Sequence, residues 1–378
     1  MTNNIKLFAS ASVVAMAMLG ATPAFATGTA SGTDIVNTAT VSYQVGGVTQ
    51  NPLTATDTLK VDRKVTVSVV ELGTVTTQVS PGQAQAATAF TVSNLSNAPI
   101  DIGLTATNFV GGTAAHGGTD TFNPGAFTYY VETGGVAGFD ATDTLVTFLD
   151  ELAADATRTV YVVTSIPLDK APSTPLVNGD IAAIHLQGTA REAGVAATQG
   201  AVVTATGGAN GKNTVETVLL DAVGTAAGDI ANDGKSSDDD DYTVSAPLLS
   251  VTKISRLIQD PVNLVTAGAP DNVSAVANAN AKAIPGAYIE YCITVTNAAG
   301  GATANGVAIS DNLSNLALTP VDYVSAFGVY EGGSVASGVC SGGTNTGTYT
   351  AGTKTVAGSL GSIAAGATKT VYFRVTIR

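Results

Sequence analysis

The densest group of chemically capable side chains is the run Asp229-Ile-Ala-Asn-Asp233-Gly-Lys-Ser-Ser-Asp238-Asp-Asp-Asp241. Carboxylates gathered around an Asn-Asp-Gly turn offer the hard oxygen ligands that calcium takes, so Asp229, Asp233, Asp238 and Asp240 are calcium candidates. The spacing is not that of an EF-hand loop, because no Glu stands at the closing position. A block of like charges also repels itself and stays solvated, and a solvated linker is the preferred reading of this run. No other cofactor is implied.

Cys292 and Cys340 are the only cysteines of the chain. Alternation along Tyr288–Asn297 puts Cys292 on the outward face with Glu290 and Thr294, away from the core. Cys340 lies in Gly338-Val-Cys-Ser-Gly-Gly343, a segment free to fold over that face. A disulfide between them is expected in an oxidising compartment, ahead of a metal pair or an intermolecular bridge.

The remaining reactive residues point to no catalysis. His116 in Ala-Ala-His-Gly-Gly-Thr reads as a turn histidine and His185 as a strand-face histidine, neither with the neighbours of a triad or zinc site. No G-x-G-x-x-G follows a strand and opens a helix, so no nucleotide cradle is expected. Phe127, Tyr129 and Tyr130, within the segment Phe122 to Tyr130, could stack on a glycan or peptide, although such residues more often fill a core. The chain is therefore expected not to be an enzyme.

The elements that position these residues begin with an export signal. Lys6 precedes the apolar stretch Leu7 to Leu19, and Ala24-Phe25-Ala26 presents the small-x-small pattern of a cleavage site after Ala26. That stretch is shorter than the roughly 20 residues a permanent span needs, and no later segment is apolar enough for one. Thr376-Ile377-Arg378 shows neither the terminal aromatic of an outer-membrane barrel nor an apolar tail with a basic stop. The expected location is extracellular, cell-surface or periplasmic. The net charge of −13 argues against nucleic acid and anionic lipid as partners. Other surface proteins, or a second copy of the chain, remain as partners.

The strongest organising feature is an internal repeat. Leu149 to Ile166 aligns without a gap on Leu360 to Ile377, with half the positions identical, among them Leu149, Ala153, Ala154, Ala156, Thr157, Thr159, Val160, Tyr161 and Ile166. Pro81-Gly82 leading to Phe90-Thr-Val-Ser-Asn94 likewise matches Pro285-Gly286 leading to Ile293-Thr-Val-Thr-Asn297. Matches in the same order roughly 200 residues apart indicate two copies of one unit. Within each copy the period is two. Ile289, Tyr291, Ile293 and Val295 share one face of a strand; Val371, Phe373, Val375 and Ile377 point inward from another, with Tyr372, Arg374 and Thr376 outward. Pro-Gly and Ala-Ala-Gly steps supply the turns.

The expected fold is all-β, with two tandem immunoglobulin-like Greek-key sandwich units and an N-terminal strand pair. The boundaries read as signal peptide 1–26, strand pair 27–62 (Thr38 to Val45 with Thr56 to Val61), a diverged unit 63–190, an acidic Gly/Ala-rich excursion with a lead-in strand 191–247, and a second unit 248–378.

The second unit carries a resemblance. Pro285-Gly286, the alternating strand ending at Asn297, then Ala304-Asn-Gly-Val-Ala-Ile-Ser-Asp311-Asn-Leu and the closing run to Ile377 resemble the conserved repeat domain of bacterial and archaeal surface proteins known as domain of unknown function 11. The likeness is good over 248–378 and weaker over 63–168, where the Asp-Asn-Leu step is missing. It implies an immunoglobulin-like fold at the cell surface and no activity. The expected function is that of a non-catalytic exported structural or adhesive protein, with a glycan- or peptide-binding module as the alternative.

Overall fold

The computed structural model describes residues 28–265, 277–315 and 320–378, so the expected signal segment, with Ala24 and Ala26, lies outside the described residues. Over the described residues the chain is all-β, and the only helical element is the 3-10 turn Leu313–Asn315.

Two sandwiches follow one another. In the first, one sheet runs in the order Thr144–Val146, Thr128–Val131, Thr157–Thr164, Ala86–Asn94, Val67–Glu71. Its partner sheet runs Phe148–Leu152, Ile100–Asn108, Ile181–Arg191, Lys235–Val244, Thr77–Val79. Between them Val67, Phe90, Ile102, Ile184, Leu186 and Tyr242 form one apolar core. In the second sandwich Leu249–Gln259, Tyr288–Asn297, Thr368–Ile377 and Val329–Ala336 lie side by side, and Ala304–Asn312 pairs with Thr355–Ile363 in the facing sheet. Val295, Val329, Leu360, Ile363, Val371 and Phe373 fill its core.

The repeated residues occupy matching places. Phe90 pairs with Val160, and Ile293 with Val371, in antiparallel register. Asn94 and Asn297 are both fully buried. The Asn94 amide donates to Leu152 O at 2.8 Å, and the Asn297 amide donates to Ile363 O at 3.0 Å. A buried asparagine that ties off a bend's carbonyls is costly to replace, because each orphaned carbonyl would be left without water. Gly82 and Gly286 both take positive φ (77° and 84°), the conformation a Pro-Gly turn demands. The aligned Asp155 and Gly366 share a left-handed backbone too, at φ 57° and 74°.

Two expectations are corrected. The acidic run is not a solvated excursion: Lys235–Val244 is a ten-residue strand inside the second sheet, antiparallel to Ile181–Arg191 and parallel to Thr77–Val79. The face bearing Tyr372 and Arg374 is not open to solvent either. Phe327 and Tyr330 cover it, leaving Arg374 1% exposed.

An N-terminal strand pair is present, Asp34–Val41 antiparallel to Leu53–Lys60 in unbroken register, beginning a few residues earlier in each strand than Thr38 and Thr56. It projects as a ribbon, and Asp34–Val41 is exposed at every position.

Candidate functional site

The carboxylates of the acidic strand have a local structural use. Beyond Thr77–Val79 the strand has a free edge, and its own side chains cap the edge amides. Asp239 N donates to Asp238 Oδ1 at 3.0 Å, and Asp241 N donates to Asp240 Oδ1 at 2.6 Å. The same strand reaches across the core to Val67–Glu71. Val69 N donates to Ser236 Oγ at 3.1 Å, and Glu71 N donates to Asp238 Oδ2 at 2.7 Å. Side-chain oxygens thus take the place of a ladder where the two sheets meet, which is the local competition that Ser and Asp offer to backbone pairing.

His116 completes this corner. It sits at the tip of a small hairpin closed by the Thr113–Thr119 bridge. Gly117 and Gly118 turn that tip at φ 93° and 85°, and a Cβ on Gly118 would lie 2.3 Å from Ile181 Cδ1. The backbone N–H of His116 donates to Asp241 Oδ2 at 2.8 Å, holding the hairpin against the strand. Its ring lies between carboxylates: Nε2 is 3.2 Å from Glu71 Oε1, while Nδ1 is 3.3 Å from Asp241 Oδ2 and 3.9 Å from Asp240 Oδ1. Asp240 and Asp241 are 3% and 0% exposed. Glu71 Oε1, His116 Nδ1 and Asp241 Oδ1 are shut off from solvent without a hydrogen-bond partner.

Electrostatics at this corner are unbalanced. Glu71, Asp240 and Asp241 meet a single imidazole, with Asp238 beside them, and among the described residues none of the four forms an ion pair with a lysine or arginine. Burial pushes the Asp240 carboxyl up to about 8; the Asp241 amide opposes this, and the charges of Glu71, Asp241 and Asp238 add to it. Glu71 is raised as well, first by burial, with His116 pulling the other way. Asp240 also lines a groove of about 560 Å³ shaped by Leu72, Val75, Phe139 and Tyr161, a route from solvent to the corner.

The calcium candidates separate in the structure. Asp238 and Asp240 belong to this corner. Asp229 instead accepts from Gly224 N and the Ser237 hydroxyl, at 3.0 and 2.6 Å. Asp233 accepts from Lys235 N and lies 3.6 Å from that lysine's Nζ. Glu71, and His116, which the sequence reading took for a turn histidine without ligating neighbours, are brought in by the fold. Nothing in their spacing to Asp240 announces them, because three separate elements supply the group.

The other expected residues are placed as follows. Cys292 and Cys340 form the disulfide, with Cα atoms 5.8 Å apart. Cys340 sits in the short strand Val339–Ser341 rather than in a free loop, and both cysteines are buried with Phe327 and Tyr372. His185 is the strand-face residue expected; it stacks on Phe109 and holds Nδ1 2.5 Å from Asp239 Oδ1. The glycan surface is not presented. Phe127 and Tyr129 pack against the core, the Tyr129 hydroxyl accepts from Ala106 N, and Tyr130 meets Phe139 edge-on.

No family model matches this chain, and no curated protein matches it. Among solved structures, similar chains include the CupB6 tip adhesin of Pseudomonas aeruginosa, at 9% identity and TM-score 0.24, over 84% of this chain and 93% of that one. A second, described as a membrane anchored protein of Corynebacterium diphtheriae, matches at 10% identity and TM-score 0.18, over 91% and 89% of the two chains. Scores this low do not establish a shared fold, and no residue or role is transferred from either.

Proposed function

We propose that this chain is an exported, non-catalytic structural or adhesive surface protein that associates through its N-terminal ribbon. The ribbon is the observation that carries the reading. Val36, Val41 and Leu53 are 59%, 58% and 61% exposed along a two-stranded sheet whose outer edges are both free. A lone hairpin is marginal in water, and exposed apolar edges invite strand addition or docking. Polar anchors to the rest of the chain sit at and near its base: Ser31 N donates to Asn97 O, Lys60 N to Lys212 O, and Lys212 pairs with Asp57. A disulfide-bonded, acidic sandwich behind an export signal fits an oxidising compartment outside the cytoplasm.

The partner proposed is a second copy of the chain. Light scattering on the full mature chain should show mass rising with concentration, and Val36→Lys with Val41→Lys should return it to monomer without moving the thermal midpoint. A monomer at every concentration, with no higher species after cross-linking intact cells, would overturn the reading.

A further inference from the structure

We propose that Glu71, His116, Asp240 and Asp241 form a binding site for a divalent transition-metal cation, of which Zn²⁺ is the type, and that the ion staples the two sheets of the first sandwich.

Three observations carry this. The first is convergence: donor atoms of Glu71, His116 and Asp240 lie within 4.8 Å of one another, so modest side-chain rotations bring them onto one ion at about 2.0–2.2 Å. The second is the orphaned oxygen of Asp241. That residue is fully buried, its Oδ2 faces the His116 ring, and its Oδ1 has no hydrogen-bond partner. A buried carboxylate oxygen left bare is costly unless a cation or proton meets it. The third is the ring itself: with Nε2 on the ion beside Glu71, Nδ1 faces the Asp241 carboxylate at 3.3 Å. That is the outer-sphere arrangement that orients metal-bound imidazoles.

The mixed donor set selects the ion class. An imidazole nitrogen among carboxylates suits zinc or manganese, whereas calcium takes oxygen alone. The elements joined are telling too. Glu71 ends an edge strand of one sheet, Asp240 and Asp241 lie in the other, and His116 comes from a loop between them. An ion there would lock three segments that side-chain hydrogen bonds alone now connect.

The test is calorimetric titration of ZnCl₂ into the full mature chain stripped with chelator, paired with thermal melting. One ion per chain at micromolar affinity or tighter, with a midpoint raised by several degrees, is the expected result. His116→Gln should weaken binding at least tenfold and abolish the rise, while His185→Gln should leave both unchanged. Asp241→Asn should behave as His116→Gln does, with far-UV circular dichroism confirming that each variant folds. No heat and no shift at 100-fold excess Zn²⁺ would overturn the site, leaving His116 as an ion-pair partner only. So would loss of binding in His185→Gln alone, or binding of Ca²⁺ that His116→Gln does not affect.

Discussion

In the second sandwich Glu290 and Arg374 face each other across neighbouring strands; in the first, the equivalent register pair is Val163 and Ala87. Glu290 is 2% exposed, and Arg374 reaches its Oε2 at 2.9 Å while Arg256 reaches Oε1 at 2.7 Å. Its buried carboxylate is therefore neutralised by residues of the same unit, and Arg374 also stacks over Phe327 at 4.1 Å. The first sandwich keeps that pair apolar and sets two buried carboxylates, Asp240 and Asp241, side by side on an added strand, with one histidine to meet them. One framework thus carries a self-neutralised charge cluster, and the other a cluster that asks for a proton or a cation from outside. The two units differ in sheet composition, five and five strands against seven and three, and they differ as sharply in how their buried charges are met.

Four measurements sharpen or break this contrast. Glu290→Ala removes the buried carboxylate that Arg256 and Arg374 share and should cost about 3–5 kcal/mol in urea unfolding; a cost under 1 kcal/mol would mean that the pair is solvated in practice. Replacing both Cys292 and Cys340 by alanine releases a loop of 48 positions and should cost about 2–4 kcal/mol, confined to the second sandwich. In the first sandwich the sign of a pH effect is diagnostic. Asp240 titrates near 8 when folded and in the ordinary carboxylate range, near 3.8, when unfolded. The folded state therefore holds an extra proton between these values, and its stability falls as pH rises from about 4 to about 8. Chelator-treated protein should melt several degrees higher at pH 5 than at pH 8, and Asp240→Asn should flatten the difference. Last, Asp155→Gly gives the first unit the residue that the second has at a left-handed position, and should stabilise by under about 1 kcal/mol.

The sequence made the shared framework legible because repetition and period-two alternation are local properties. Asn94 with Asn297, the Pro-Gly turns and the closing strands could be paired by eye, and they occupy matching places. The disulfide was legible for a similar reason: only two cysteines exist, and alternation put one of them opposite a loop. The acidic strand was not. Four consecutive aspartates score as a solvated run on charge alone, and only tertiary pairing reveals that they cap their own edge amides and close the junction between sheets. His116 and Glu71 were hidden for a different reason, since no periodicity links a hairpin tip, a strand end and a distant strand. In the aromatic segment Phe127 and Tyr129 pack against the core, the commoner fate that the sequence reading named for them, while Tyr130 lies against Phe139.

The bonds from Val69 to Ser236 and from Glu71 to Asp238 each span 167 positions of the chain. That distance governs the order of assembly. As the polypeptide emerges from its amino end, Val67–Glu71 must wait with an open edge until the acidic strand has followed it. Closing so long a loop is entropically slow, and folds dominated by distant strand pairings assemble in milliseconds to seconds rather than microseconds. The first sandwich is thus committed to finishing late, after the local hairpins have formed. Its four aspartates are the last pieces to arrive, and any cation in the surrounding solvent is there to meet them.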